Sequence, residues 1–216
     1  MSEKNIVQLI VGPIAANCWI YPFGRSAAVI DPGADASLII STLEKLNLTP
    51  VYILLSHGHF DHIGAVPALV KAFPEILIAI HSQDSHYLGE QTYETQCQSM
   101  KAAIGSSTLI DESWKEMPAA GRLLEDGDKI ACGESELTVL HIPGHTQGSA
   151  AFYDEKTGVI FTGDTLFHRG YGRTDLPGGD EDQIFESLDR LFTLEPGIIV
   201  YPGHGRKTTI GQEAKR

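Results

Sequence analysis

The strongest signal in this chain is the segment Ser56-His57-Gly58-His59-Phe60-Asp61-His62. Its three imidazoles and one carboxylate lie within six residues, and these side chains bind transition-metal ions. A single tetrahedral ion does not normally take so many ligands from so short a segment. We therefore interpret the segment as half of a site for two metal ions, in preference to a polar loop that happens to contain histidines.

Regular secondary structure is predicted on both sides of this motif. The run Val51–Leu55 is fully apolar and has the length of a buried strand, so the motif follows the C-terminal end of that strand. A helix is predicted to begin at about Asp61 and to end near Phe73, before Pro74. The run Ile76–Ile80 is predicted to be the next buried strand.

Short apolar runs bounded by turn residues predict strands in the rest of the chain. These runs are Val7–Val11, Cys18–Tyr21, Ala27–Ile30, Lys129–Ala131, Leu137–Ile142, Ala150–Tyr153, Val159–Thr162 and Ile198–Tyr201. Helices are predicted over Asp35–Leu46 and Asp182–Leu194. No strand is evident from Gln83 to Ala120, which we predict to be helix or loop and to cover a cleft or form an interface. Gly170–Asp180 is a glycine-rich loop.

Strands precede helices in both halves of the chain, and this order predicts the fold class. Two packed sheets with helices on the outside, an αββα four-layer sandwich, would place the polar strand ends in one cleft. No repeat and no low-complexity linker interrupts the pattern. We therefore predict a single domain over residues 1–216.

Composition limits the possible classes of protein. Of the 216 residues, 42% are hydrophobic and 20% are charged, as in ordinary globular proteins. The formal charge of -12 argues against binding to nucleic acids or to anionic membranes. No signal peptide, transmembrane segment or disulfide framework is indicated, the three cysteines being far apart. We expect a cytoplasmic protein that acts on a small molecule, of an oligomeric state that the sequence leaves open.

Further candidate ligands follow the apolar runs of the second half. His145, Asp164 and His204 each lie after such a run and beside a glycine, which lets the backbone approach closely. A lone histidine or aspartate at such a position is more often a cap or a turn residue. Their joint placement at strand ends, together with the first motif, favours a metal site.

These motifs make the chain similar to the metallo-β-lactamase superfamily, and within it to short, single-domain relatives of hydroxyacylglutathione hydrolase (glyoxalase II). The resemblance extends from Asn17 and Asp31-Pro32-Gly33 to His204. The H-x-H-x-D-H motif is specific for the superfamily. The segments Gly172-Arg173-Thr174-Asp175 and Gly203-His204-Gly205 resemble the glyoxalase II branch.

The resemblance implies a dinuclear centre. It assigns one ion to His57, His59 and His145, a second to Asp61, His62 and His204, and the bridging position to Asp164. With only nitrogen and oxygen donors, zinc is the first expectation, and iron or manganese would also be accepted. The implied reaction is attack of a metal-bound hydroxide on an S-(hydroxyacyl)glutathione such as S-D-lactoylglutathione, with Asp61 and Asp164 as catalytic residues.

Substrate contacts are less well indicated than metal ligands. Two-domain glyoxalase II enzymes carry a C-terminal helical extension that supplies much of the glutathione-binding surface, and we expect none in this chain. Candidates to replace it are Arg173, Tyr171, Arg206 and Lys207. Each has an alternative role in the protein surface, in an ion pair or in core packing.

Four further histidines, His81, His86, His141 and His168, are not predicted to be ligands. Asp31 either orients a ligand histidine or serves the turn at Asp31-Pro32-Gly33.

Other functions share this scaffold. A persulfide dioxygenase would use one iron ion held by His57, His145 and Asp164, and it resembles the chain in the Gly172–Asp175 segment. Hydrolysis of another ester or a lactone also stays open. Hydrolysis of β-lactams, nuclease activity and a metal-free binding role are less favoured. Metal stoichiometry would separate a two-metal hydrolase from a one-iron dioxygenase.

Overall fold

A computed structural model describes residues 5–215, and they form two six-stranded sheets. The first sheet contains, in spatial order, β1 (Val7–Val11), β2 (Ala16–Phe23), β3 (Ser26–Ile30), β4 (Thr49–Leu55), β5 (Leu77–His81) and β6 (Arg122–Leu124). The second contains β7 (Lys129–Cys132), β8 (Ser135–His141), β9 (Ala150–Asp154), β10 (Val159–Gly163), β11 (Ile199–Pro202) and β12 (Thr208–Thr209), also in spatial order.

The helices lie between these strands in sequence. They are α1 (Ala36–Lys45), α2 (Phe60–Ile63), α3 (Val66–Ala72), α4 (Thr92–Ile104), α5 (Glu181–Phe192) and α6 (Ile210–Glu213). Short 3₁₀ turns occupy Ser82–Tyr87, Gly89–Gln91 and Glu112–Glu116. The region from residue 83 to residue 120 is therefore helix and turn, as predicted. None of the helices in residues 5–215 has the length and apolar character needed to cross a membrane.

Strand direction determines where polar strand ends collect. In the first sheet β3, β4 and β5 are parallel, so their C-terminal ends meet at one edge. In the second sheet β10 and β11 are parallel. Because β8 and β10 are both antiparallel to β9, β8 runs in the same direction as these two strands. The C-terminal ends of β8, β10 and β11 therefore also share one edge.

Three apolar cores separate four layers. Between the sheets, Trp19 and Tyr21 of β2 pack against Phe161 of β10, with ring centroids 6.4 and 5.7 Å apart. A second core joins the first sheet to α1 and α3, and a third joins the second sheet to α5 and α6. Full burial of each large side chain contributes about 1.5–3 kcal/mol. The αββα sandwich predicted from the sequence is confirmed.

The predicted helix from Asp61 to Phe73 is wrong in one respect, because it is two helices. Gly64 and Ala65, between α2 and α3, keep right-handed helical dihedral angles, but Ala65 N leaves the helical hydrogen-bond pattern. Ala65 N donates to Pro32 O at 2.9 Å, and a Cβ on Gly64 would lie 2.4 Å from Gly33 O. Close packing against the turn that follows β3 thus interrupts the helix. The sequence pattern also misses β6, β12 and α6, which have only two to four residues each.

Candidate metal centre

The seven predicted ligands lie at the strand ends along one edge shared by both sheets. His57, His59, Asp61 and His62 follow β4, His145 follows β8, Asp164 follows β10, and His204 follows β11. The structure brings all seven together, although His59 and His145 are 86 residues apart in the chain. Each sheet thus contributes part of one polar cluster.

The donor atoms of this cluster are close to one another. His59 Nδ1 lies 2.9 Å from His145 Nε2. His62 Nε2 and His204 Nε2 lie 3.2 and 3.1 Å from Asp61 Oδ2. Three groups have donor atoms within 4.8 Å of one another: His57, His59 and His145; Asp61, His62 and His204; and His57, His62 and Asp164. The first two are the ligand sets that the resemblance implies, and Asp164 groups with one histidine of each.

Ionisation of the first group suits metal ligation. Burial, followed by the proximity of other imidazoles, holds the pKa of His57 well below its usual range. Burial and His145 do the same for the pKa of His59. Both imidazoles are therefore neutral near pH 7, which is the form that binds metals.

In the second group, charge pairing outweighs burial. Burial by itself would raise the pKa of Asp61, but His62 and His204 bring it well below its ordinary value. Burial would lower the pKa of His62, and the carboxylates of Asp61 and Asp164 raise it well above that of a free imidazole. A cation that replaces the proton of His62 would keep these carboxylates neutralised.

Unsatisfied buried atoms show that the cluster fits a cation. His57 Nε2 and Asp164 Oδ1 are buried and make no hydrogen bond within residues 5–215. Buried polar atoms without partners cost free energy, so native structures pair nearly all of them. A bound cation would satisfy both atoms, and a donor set of imidazoles and carboxylates suits zinc, iron or manganese.

Hydrogen bonds behind the cluster orient its imidazoles. Ser56 Oγ donates to Asp31 Oδ2 at 2.7 Å and lies 3.0 Å from His57 Nδ1. His57 therefore donates its Nδ1 proton to Ser56, which leaves the Nε2 lone pair free for a metal. Asp31 Oδ2 also lies 3.2 Å from His62 Nδ1. Of the two roles considered for Asp31, the geometry favours orientation of the ligand histidines.

The same kind of support holds His145. Its Nδ1 donates to the carbonyl oxygen of Arg173 at 2.7 Å, so its Nε2 lone pair is directed at the cluster. Gly172 permits this approach, because a Cβ at that position would lie 2.0 Å from Asp164 O and 3.0 Å from His145 Nδ1. The backbone of the Gly172-Arg173 segment is thus part of the site.

Asp84 is a buried residue of the site that the sequence interpretation did not single out. Its carboxylate accepts hydrogen bonds from Gly58 N at 3.0 Å, Gly148 N at 2.7 Å and Thr146 Oγ1 at 2.8 Å. Asp84 therefore ties the His57–His59 loop to the His145 loop. Its position three residues after a buried strand that ends at the same edge is the signal that could have identified it.

A cleft of about 400 Å³ opens onto the cluster. Its polar end is lined by His59, Asp61, His145, Asp164 and His204. Its apolar walls come from Ile14, Phe60, Met100, Ala103, Ile104, Leu109, Phe167 and Leu176. Helix α4 and the residues after it therefore cover this cleft, one of the two roles predicted for the region.

The four predicted substrate contacts differ in position. Arg173 lines the cleft, and its guanidinium donates two hydrogen bonds of 2.7 Å to the carboxylate of Asp175. Tyr171 packs against Phe185, and Lys207 lies 5.2 Å from the ring centroid of Tyr201. Arg206 contacts His168. Only Arg173 of these four is among the residues that line the cleft.

The histidines that were not predicted to be ligands lie outside the three donor groups. His81 and His141 stack on each other with ring centroids 4.0 Å apart. His168 Nδ1 lies 3.2 Å from Glu213 Oε1. The ring of His86 packs on the ring of Tyr87, with centroids 4.4 Å apart.

The family follows from a direct comparison. The sequence profile of the metallo-beta-lactamase superfamily matches residues 11–204, which is most of the chain and includes the seven predicted ligand positions. The chain therefore belongs to the metallo-β-lactamase superfamily, whose members are largely metal-dependent hydrolases.

Individual relatives agree with this assignment. The hydroxyacylglutathione hydrolase GloC of Haemophilus influenzae is 34% identical over 214 residues, covering 98% of this chain and 95% of that protein. Among solved structures, the BLEG-1 B3 metallo-beta-lactamase is 35% identical with a TM-score of 0.85, covering 98% of this chain and 97% of its own. TTHA1623, in a di-iron-bound form, is 37% identical with a TM-score of 0.81 and covers 97% of each chain.

Proposed function

We propose that the protein is a dinuclear metallohydrolase that cleaves thioesters of the S-(hydroxyacyl)glutathione type. The observation that carries this proposal is the convergence of seven donor side chains at the polar end of an otherwise apolar cleft. The similarity to GloC over 98% of the chain supports the substrate class.

The proposed ligand sets are His57, His59 and His145 for one ion and Asp61, His62 and His204 for the other, with Asp164 between them. Zinc is the first expectation, and the di-iron form of TTHA1623 supports iron as an alternative. When bound, such ions supply Lewis acidity, which makes water a nucleophile near neutral pH and stabilises negative charge on a carbonyl oxygen.

Asp164 has the position expected of a residue shared by both sets. Its Oδ1 lies 3.4 Å from His62 Nε2, and its Oδ2 lies 3.7 Å from His145 Nε2 and 3.6 Å from His204 Nε2. Asp164 therefore lies between the two halves of the cluster. Asp61, ionised and in contact with His62 and His204, contributes negative charge to the second set.

The rest of the cleft would bind and orient the thioester. Its apolar walls exclude water around the reacting carbonyl, which strengthens electrostatic interactions there. Because a thiolate is a good leaving group, no strong general acid is required from the protein. Arg173 is positioned to bind a carboxylate of glutathione if its pairing with Asp175 is exchanged. Tyr171, Arg206 and Lys207 would reach only a part of the substrate that projects from the cleft.

The test is hydrolysis of S-D-lactoylglutathione by the metal-replete protein and by the Asp164→Asn variant. We expect the variant to retain bound metal and to lose about 100-fold or more in kcat, because the shared carboxylate loses its charge. Metal content per chain is measured on the same samples. Unchanged turnover in the variant would remove Asp164 from the mechanism.

Metal stoichiometry separates this proposal from the alternative functions. Two ions per chain support the hydrolase. A single iron ion per chain, with oxygen uptake on glutathione persulfide, would replace it with a persulfide dioxygenase that uses His57, His145 and Asp164. Two ions without turnover of glutathione thioesters would direct the search to other esters and lactones.

A further inference from the structure

We infer that the apolar wall of the cleft binds the acyl chain of the substrate, so that thioesters of linear apolar acyl groups are better substrates than S-D-lactoylglutathione. The inference rests on the proposed thioester hydrolysis and specifies its substrate. The wall consists of Ile14, Met100, Ala103, Ile104 and Leu109, all of which line the cleft.

The exposure of this wall is the first observation. Ile14, Ile104 and Leu109 are 50%, 61% and 54% exposed, and all three border the same cleft. Large apolar side chains that gather around one concavity mark a binding surface, whereas isolated ones are ordinary. An apolar ligand group would remove these side chains from water at about 25 cal/mol per Å² of buried area.

Helix α4 presents three of these residues on one face. Met100, Ala103 and Ile104 are spaced i, i+3 and i+4, which brings them to one side of a helix. Met100 is buried at 3% exposure, and the small Ala103 leaves space beside it. Gln96, one turn earlier, donates to Gly58 O at 2.6 Å and so ties α4 to the metal-ligand loop. The face is therefore held in a defined position relative to the donor cluster.

Charge distribution indicates which part of the substrate this wall takes. Of the residues that line the cleft, Arg173 is the one with a permanent positive charge, and Asp175 already pairs with it. Glutathione carries two carboxylates and an ammonium group, which an apolar wall does not match. An alkyl chain matches it, so the acyl side of the thioester is the group expected along α4.

The wall and the donor cluster belong to one cavity. The same cleft is bordered by His59, Asp164 and His204 at one end and by the apolar wall at the other. Its volume of about 400 Å³ is within the range of small-molecule sites. A carbonyl at the donor cluster can therefore continue into an alkyl chain along the wall without leaving the cavity.

The first experiment compares turnover of S-acetyl-, S-butanoyl-, S-hexanoyl- and S-D-lactoylglutathione by the metal-replete enzyme. We expect kcat/KM to rise by roughly three-fold for each methylene that the wall buries. The Ile104→Asn variant should lose that gain. Leu38→Asn, at an exposed leucine of α1 outside the cleft, is the matched control and should retain it.

The second experiment measures binding without turnover. S-hexylglutathione and S-methylglutathione, thioethers that cannot be hydrolysed, are titrated by calorimetry into the metal-replete protein and both variants. We expect the hexyl compound, which has five more methylenes, to bind on the order of 200-fold more tightly than the methyl compound. Ile104→Asn should remove most of this difference, and Leu38→Asn should not.

The outcomes separate the two proposals. Equal binding of both thioethers, or equal kcat/KM along the acyl series, would overturn the acyl-chain site even if S-D-lactoylglutathione is hydrolysed. Preference for the hexyl compound with no hydrolysis of any thioester would support the apolar site and overturn the proposed reaction.

Discussion

Two buried carboxylates outside the proposed ligand sets, Asp31 and Asp84, hold the loops of the cluster. Asp31 accepts from Ser56 N and Ser56 Oγ, each at 2.7 Å, and so fixes the start of the metal motif. Asp84 joins the two loops that carry His57, His59 and His145. Such supports tune metal affinity because they fix the orientation of the ligands.

The Asp84→Asn variant tests this role. Three donors, Gly58 N, Gly148 N and Thr146 Oγ1, converge on the carboxylate of Asp84. Asparagine would offer them one acceptor oxygen, and its amide group would place N–H donors against the remaining donors. We expect a 10- to 100-fold loss of metal affinity and a decrease of about 2–3 kcal/mol in the free energy of unfolding. Metal titration and urea denaturation measure the two effects. Asp189→Asn, at an exposed position of α5, should change neither.

Gly203 is required by the space around the ligands. A Cβ there would lie 2.1 Å from Asp164 Oδ1 and 2.8 Å from His62 Cε1. We expect Gly203→Ala to cost about 1–3 kcal/mol of stability through overpacking and to displace Asp164. Thermal unfolding and metal content report these effects. The Gly197→Ala control, where a Cβ would meet nothing within 4 Å, should unfold close to the temperature of the original protein.

At the scale of elements, α5 positions the loop of His145. Asp180 precedes the helix, and its Oδ1 accepts from Gln183 N at 2.9 Å as an N-terminal cap. Asp180 N donates to Gly144 O at 2.8 Å, and Ser187 Oγ donates to Pro143 O at 2.7 Å. The start of α5 and the loop before His145 therefore form one hydrogen-bonded unit.

The Asp180→Ala variant should destabilise this unit. Loss of a capping aspartate costs about 1 kcal/mol, and we expect that decrease in the free energy of unfolding. Urea denaturation measures it, and Glu186→Ala, at an exposed position inside α5, is the control for helix substitution. Equal stability of the two variants would show that the cap contributes nothing.

Helix α4 shows why some elements were harder to predict. Polar residues that are buried beside the site, such as Gln96 and Ser99, interrupt its apolar pattern. By contrast, α5 buries Ile184, Leu188 and Leu191 at regular helical spacing, and the sequence predicted it to within two residues. The pattern of a helix is clear where one face meets an apolar core, and it is weak where that face includes buried polar residues beside a cleft.

At the scale of the whole molecule, the two sheets meet at the cluster. Ala150 N of β9 donates to Ser56 O at 2.8 Å, and Asn17 N of β2 donates to Gly203 O at 2.7 Å. Each bond joins one sheet to a ligand-bearing segment of the other. The ligand sets combine residues of both sheets, so metal binding and the packing of the sheets should stabilise each other.

Metal removal tests this coupling. A ligand that binds only the folded state at 1,000 times its Kd adds about 4 kcal/mol of stability. For a chain of this size, we expect chelation to lower Tm by roughly 10 °C. Calorimetry with a chelator, followed by addition of zinc, measures the loss and its recovery. An unchanged Tm in protein shown to be metal-free would contradict the coupling.

The sequence by itself predicted the fold class, which the structure confirms, and a set of seven candidate donors, which the structure brings together. Apolar strand-length runs that end in polar residues predicted two sheets. The H-x-H-x-D-H motif was recognised from its spacing, and His145, Asp164 and His204 from their joint placement after apolar runs and beside glycine. These features depend on short-range pattern, because strand and turn preferences act over a few residues. The converging side chains are the ones that the pattern identified.

Only the tertiary structure decided which residues surround the donor groups and form the cleft. It placed Asp84 between two loops and brought α4 over the cleft. It also put Arg173 in the lining of the cleft and left Tyr171, Arg206 and Lys207 outside that lining. Neighbours in the site can be far apart in the chain. Asp61 and His204, for example, are separated by 143 positions. Their proximity results from the packing of two sheets, which no local sequence pattern encodes.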